Sequence, residues 1–278
     1  MVNSIKEKIL SKKELQSIDE EIFKKIFEEE KKKNANLYKK VEEKQFNEKS
    51  KEYKEFVKII RKRLREIYGV FFKDVLSEEK RKKLLMQGDD ASINRILSSH
   101  LSTYERKNNY KELYEWIFSI TGTPKKILDL GCGYNPFSYF KLGCTPFYIA
   151  SDISRKNLEF INQFFKSKSI PGATKPIDTT TTEGLEKIKK ITETCEVTFC
   201  FKLLDSLEAQ TKGASKQLLN NIKSNFVIVS FPQGSISGKN KIKSQRKWFQ
   251  DIIKDVETEN KTIGNEKYYI LKHKNSQE

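Results

Sequence analysis

Proline and glycine are nearly missing from the first third of this chain. The first proline is Pro124, and the only glycine before Gly88 is Gly69. Nothing there interrupts a long helix, and strand signal is almost absent as well. Histidine is scarce, with His100 and His273 the two present. The cysteines, Cys132, Cys144, Cys195 and Cys200, form no Cys-x-x-Cys pair. A metal site is therefore not expected, and the thiols read as free and mostly buried in a reducing compartment. No apolar run approaches the roughly 20 residues that a membrane-crossing helix needs. The N-terminus, Met1-Val2-Asn3-Ser4-Ile5-Lys6-Glu7-Lys8, lacks the apolar stretch of a signal peptide. A cytoplasmic protein with no membrane partner, acting as a monomer, is the expectation.

What is abundant is positive charge. The 278 residues carry a formal net charge of +16, spread over both halves. That balance points to a polyanion, nucleic acid before an anionic membrane surface, with a lysine-rich composition and no partner as the plain alternative. Charged residues make up 33% and hydrophobic residues 36%, so a core is attainable but part of the chain must be highly polar.

In the first hundred residues apolar side chains recur at helical spacing. They run Ile5, Ile9, then Ile18, Ile22, Phe23, Ile26, Phe27, then Phe56, Ile59, Ile60, Leu64, Ile67. Basic runs on such helices are usually solvated faces. The run Arg61, Lys62, Arg63 and Arg65 differs because no acid interleaves it, and it is the expected phosphate-contacting strip. Residues 1–105 are read as a helical, basic domain suited to binding RNA.

From Pro124 strands and helices alternate. Strands are expected at Lys126–Leu130, Phe147–Asp152, Thr174–Asp178, Val197–Lys202 and Phe226–Phe231, with a final pair near Asp255–Thr262 and Lys267–His273. Helices are expected at Arg155–Lys168, Thr182–Thr192, Ser206–Ile222 and Lys243–Lys254. Gln87-Gly88-Asp89-Asp90 reads as a joint. This is the α/β layout of a class I methyltransferase: a Rossmann-like, mostly parallel seven-stranded sheet behind an N-terminal helical domain, with residues 106–278 as the catalytic part.

The run Lys125-Lys126-Ile127-Leu128-Asp129-Leu130-Gly131-Cys132-Gly133 reads as a buried strand ending in a glycine turn. Glycines at Gly131 and Gly133 let backbone approach a ligand, and Asp152 closes the next apolar run where ribose hydroxyls would be bound. No third glycine follows; Asn135 stands in its place. S-adenosylmethionine (SAM) has no pyrophosphate to cradle, so the turn favours SAM over NAD. Asp129, Gly131, Asp152, Asp178 and Lys202 all fall at strand ends, where the crevice of such a sheet lies.

Several segments resemble one family: the small-subunit ribosomal RNA guanine-N7 methyltransferases that confer aminoglycoside resistance. They are Ser99–Arg106 (Ser-His-Leu-Ser-Thr-Tyr-Glu-Arg), Asp129–Phe137 (Asp-Leu-Gly-Cys-Gly-Tyr-Asn-Pro-Phe) and Phe201–Gln210. Val229-Ser230-Phe231-Pro232 leading to Ser235-Ile236-Ser237-Gly238-Lys239, and Thr262-Ile263-Gly264-Asn265-Glu266, complete the set. The resemblance runs from about residue 95 to the C-terminus. It implies docking on the 30S subunit and methylation of a guanine in the decoding region. By position it implies that Arg106 holds the methionyl carboxylate of SAM, Asp152 the ribose and Asp178 the adenine amino group. Leu203, Leu204 and Gln210 would line the pocket wall, with Ile153 and Ile177 beside the two acids. Lys239 stands where relatives often carry arginine, which keeps the charge but not the planar fork. Gln233 follows Pro232 where a small hydroxyl residue or a base is common.

Guanine N7 is already a nucleophilic lone pair, so the chemistry asks for alignment and exclusion of water rather than a general base. A pyrimidine C5 target would need a cysteine nucleophile, for which Cys200 is the candidate. An adenine N6 target usually goes with an acid-Pro-Pro-aromatic turn, which Phe201-Lys202-Leu203-Leu204 does not match. Phe231 is either plain core or a ring stacked beside a flipped guanine. Ser235 and Lys239 would position the target nucleotide, and Lys239, Lys241, Lys243 and Arg246 form a second basic patch. His100, a helix cap or core histidine, is given no chemistry. Transfer to tRNA, or a non-catalytic ribosome-assembly role on a retained SAM fold, are the competing readings.

Overall fold

A computed structural model describes residues 2–12, 15, 18–67, 76–233 and 246–273. The chain divides into two compact units, Met1–Val75 and Leu76–Glu278. The boundary thus falls well before the expected 105/106, because the helices between residues 78 and 106 fold with the sheet.

The first unit contains α1 (Val2–Leu10), α2 (Glu20–Lys33), α3 (Ala35–Glu43) and α4 (Lys51–Ile67). Its core is the helical-period set read from the sequence: Ile5, Ile9, Ile22, Phe23, Ile26, Phe27, Phe56, Ile60 and Leu64 are all buried. Phe56 of α4 holds it together, edge-on to Phe27 at 5.7 Å and tilted against Tyr38 at 5.1 Å. Each such ring taken out of water contributes about 1.5–3 kcal/mol.

The second unit opens with α5 (Glu78–Gln87), α6 (Asp90–Ser99), α7 (Leu101–Arg106) and α8 (Tyr110–Thr121). The expected joint is a helix stop and start. Gly88 takes the left-handed conformation that ends α5, and Asp89 accepts from the Ser92 amide at 2.7 Å to begin α6. The sheet strands are β1 (Lys126–Leu130), β2 (Phe147–Asp152), β3 (Gly172–Pro176), β4 (Val197–Phe201), β5 (Phe226–Pro232), β6 (Glu257–Ile263) and β7 (Glu266–Lys272). Between them lie α9 (Arg155–Ser167), α10 (Thr182–Thr192), α11 (Leu203–Gln210), α12 (Ala214–Asn221) and α13 (Lys247–Ile253). The single helix expected over 206–222 is two, because Gly213 at φ 86° turns the chain between α11 and α12. β3 begins and ends two residues earlier than expected, so Asp178 lies past its end.

Strand order is β3-β2-β1-β4-β5-β7-β6. All neighbours are parallel except β7, which runs antiparallel to β5 and β6. The chain winds outward from β1 to β3, then returns to lay β4 against the other side of β1. The strand order therefore reverses between β1 and β4, and a ligand crevice opens beyond their carboxyl ends.

Candidate active site

The turn after β1 is held by its neighbour strand. Gly131 and Gly133 both have left-handed backbone, φ 60° and 50°, which a side chain would strain. Cys132 donates its amide to the Ser151 carbonyl at 2.9 Å. Asp152 accepts from the Gly133 amide at 3.0 Å through Oδ2 and from the Ser154 amide at 2.9 Å through Oδ1. The acid that closes β2 thus shapes the glycine turn itself. The space over the turn is tight. A Cβ on Gly131 would come within 2.9 Å of Leu203 Cδ1, and one on Gly133 within 2.9 Å of the His100 ring.

A buried polar network lies beneath. Asp129, 1% exposed, accepts from the Tyr148 hydroxyl at 2.6 Å and from Asn135 Nδ2 at 2.9 Å, both on Oδ2. Burial pushes its carboxyl up to about 6 despite those two bonds. Asn135 Oδ1 accepts from Arg106 Nη1 at 3.1 Å and from the Tyr110 hydroxyl at 2.9 Å. Arg106, 2% exposed, also grips Glu266 side-on, Nε to Oε2 at 3.3 Å and Nη2 to Oε1 at 3.0 Å. Burial alone would raise the Glu266 carboxyl, but Arg106 and then Lys202 hold it below the usual range. Ser230 donates to the same carboxylate. Lys202 sits between Glu105 and Glu266, the latter at 3.4 Å. Its backbone is left-handed at φ 55°, and its amide bonds to the Ser230 carbonyl and hydroxyl at 3.2 and 3.1 Å. That left-handed backbone is uncommon for a lysine, and the bonds to Ser230, Glu105 and Glu266 hold it there.

These residues fit a cofactor with an amino-acid end and a nucleoside. Gly131 exposes its backbone at the turn, Asp152 flanks it, and Arg106 retains one N–H on each terminal nitrogen beyond its described bonds. Asp178 lies past β3, where its Oδ1 accepts from the Thr180 amide at 2.9 Å in a local turn. Ile153, Leu203 and Gln210 are partly exposed, and Leu203 packs against Gly131. Ile177 and Leu204 are instead members of the apolar core, 5% and 0% exposed.

Three sequence expectations change. Phe231 is 1% exposed, enclosed by Trp248, Phe249 and Tyr269, so it belongs to the core and offers no open face to a base. Arg246 lies 4.5 Å over that ring and forks onto Asp205, Nε to Oδ1 at 2.7 Å and Nη2 to Oδ2 at 2.7 Å. One face of the guanidinium, Nε and Nη2 are thus engaged inside the protein, which gives Arg246 a structural role rather than that of an open phosphate contact. Arg61 likewise turns inward, donating to the carbonyls of Lys8 and Ile9 and to Ser11 Oγ at the C-terminus of α1. Carbonyls at a helix C-terminus lack i+4 partners within the helix; here Ser11 and Arg61 share that of Lys8, and Arg61 donates to that of Ile9. In the same run Arg63 faces Glu30 and Glu66 at 3.9 and 3.8 Å, Arg65 is partly buried, and Lys62 is the most open, 78% exposed. Ser235, Lys239, Lys241 and Lys243 lie outside the described residues.

Two of the central residues carried no sequence-based role. His100 is packed over Gly133 and tilted against Tyr134 at 5.4 Å, and burial, then Arg106 and Lys202, push its ring down to about 3. It is a neutral imidazole at physiological pH. Glu266 joins α7 to the sheet. Both stand inside segments that carried the family resemblance, which was the available signal. Cys200 is fully buried and its thiol is pushed up by burial, so it is no nucleophile.

The comparisons agree with this arrangement. The model of the family described as "Ribosomal RNA methyltransferase (FmrO)" matches residues 34–257. That match starts inside the first unit, much earlier than the resemblance read from residue 95. A 16S rRNA (guanine(1405)-N(7))-methyltransferase of Micromonospora echinospora is 29% identical over 237 residues, 77% of this chain and 81% of its own length. The solved 16S rRNA methylase RmtB superposes with a TM-score of 0.69 at 25% identity, covering 98% of both chains. The methyltransferase RmtF, solved with S-adenosyl-L-homocysteine, superposes with a TM-score of 0.71 at 22% identity, over 98% of this chain and 97% of that one, a likeness of fold. The chain belongs to the FmrO family of ribosomal RNA methyltransferases.

Proposed function

We propose that this chain transfers the methyl group of SAM to N7 of a guanine in the decoding region of 16S rRNA, within the assembled 30S subunit in the cytoplasm. The observation that carries the reading is the crevice beyond β1 and β4. There a glycine turn, a buried acid-guanidinium network and a ribose-ready acid converge, while the nearby thiols and imidazole are uncharged. SAM, when bound, supplies a methyl on a sulfonium that departs as the neutral thioether. The chain's part is to hold and align. Gly131 and Gly133 admit the cofactor close to backbone, Asp152 accepts from ribose hydroxyls, and Arg106 offers its remaining N–H groups to a carboxylate. Leu203, against Gly131, narrows the crevice and excludes water. A guanine N7 lone pair needs no proton removed, so residues that only hold and align the two reactants are enough. The guanine(1405) named for the relative from Micromonospora echinospora is the proposed target.

The basic surface supports an RNA partner. Exposed lysines of the first unit, Lys62 among them, together with Ser235, Lys239, Lys241 and Lys243, are proposed to meet rRNA phosphates. The test compares radiolabelled methyl transfer from SAM to purified 30S subunits and to total tRNA. Label in 30S subunits supports the reading; label in tRNA alone overturns the substrate.

A further inference from the structure

Asn135 stands where a third glycine is missing, and its side chain bonds both the buried Asp129 and the buried Arg106. Its amide is 2% exposed. Nδ2 donates to Asp129 Oδ2 at 2.9 Å and to the Tyr148 hydroxyl at 3.3 Å, and Oδ1 accepts from Arg106 Nη1 at 3.1 Å and Tyr110 at 2.9 Å. The partners dictate the orientation, since a reversed amide would aim N–H groups at the guanidinium and oxygen at the carboxylate. Asp129 Oδ1 accepts no hydrogen bond among the described residues, and Arg106 retains N–H groups.

We propose that Asn135 is a positioning residue that sets the spacing between Asp129 and Arg106, so that Asp129 Oδ1 takes the ammonium and Arg106 the carboxylate of the cofactor's amino-acid end. The inference rests on the reading of the crevice as a SAM site. An amino acid presents one cation and one anion a fixed distance apart, and a planar amide offers a donor to one partner and an acceptor to the other. A glycine there would leave Asp129 and Arg106 to meet directly or to drift. An aspartate would face Asp129 with like charge.

The experiment is calorimetry with two ligands on the full chain. S-adenosyl-L-homocysteine carries the amino-acid end; 5′-methylthioadenosine shares the adenosine and thioether but lacks it. Asn135→Asp is expected to raise the Kd for S-adenosyl-L-homocysteine about tenfold or more, the scale of one lost charge-assisted hydrogen bond, with 5′-methylthioadenosine unchanged. Tyr110→Phe deletes one bond to Oδ1 while keeping the ring stacked on Tyr114, and is expected to give a smaller shift of the same selectivity. It carries the test alone if Asn135→Asp does not fold. Equal weakening of both ligands, or of neither, overturns the proposal while the SAM reading stands. Wild-type protein that binds neither ligand overturns both.

Discussion

Gly133 lies directly under His100: a Cβ on the glycine would sit 2.9 Å from both Cε1 and Nε2 of the imidazole. The ring has little room to yield, because Ser102 Oγ meets its Nδ1 at 3.0 Å and Tyr134 packs against it. Gly133→Ala therefore combines a left-handed backbone penalty with a collision. We expect a loss of about 2 kcal/mol in unfolding free energy and markedly weaker S-adenosyl-L-homocysteine binding. Urea denaturation and calorimetry check the two effects.

The same imidazole makes stability fall in mild acid. His100 titrates at about 3 in the fold against 6.5 unfolded, so below pH 6.5 only the unfolded chain takes up its proton. The penalty grows as pH falls toward 3, reaching about 2 kcal/mol at pH 5. Asp129 acts in the opposite sense. Its carboxyl at about 6, against 3.8 unfolded, favours the fold as pH drops through that interval. Wild type should therefore lose less than the histidine alone dictates. His100→Asn should lose about 2 kcal/mol less than wild type between pH 7 and pH 5, measured by denaturant titration at both.

Arg246 and Lys62 should separate structure from RNA contact. Arg246→Gln breaks the fork onto Asp205 and should cost about 1–2 kcal/mol of stability. It should leave the salt dependence of 30S binding unchanged. Lys62→Gln, at a 78% exposed side chain, should leave stability within about 0.5 kcal/mol. If Lys62 meets a phosphate, as proposed, the slope of log K against log salt should fall by about 1. Filter binding at several salt concentrations measures it.

The sheet was legible because its strands are short buried runs bounded by turns, and the glycine turn because only backbone geometry needs such residues. Helix α4 showed its buried face through Phe56, Ile60 and Leu64 for the same reason. What the sequence hid were partners supplied from afar. Arg106 meets Glu266 across 160 residues, Arg246 meets Asp205 across 41, and Arg61 meets Ile9 across 52. A basic run looks identical whether its guanidinium faces a phosphate or a helix end. Phe231 read equally as core or as a base-stacking ring until α13 and β7 were seen to enclose it. Asn135 looked like a missing glycine, and only the folded network gives it two charged neighbours.

Methylation of guanine N7 in 16S rRNA is tested most directly by treating 30S subunits with the protein and SAM, cleaving the rRNA with borohydride and aniline and mapping the breaks by primer extension. One new scission is expected, at guanine 1405, absent when SAM is omitted. Methyl incorporation without a scission at any guanine, or scission only in free tRNA, would contradict it.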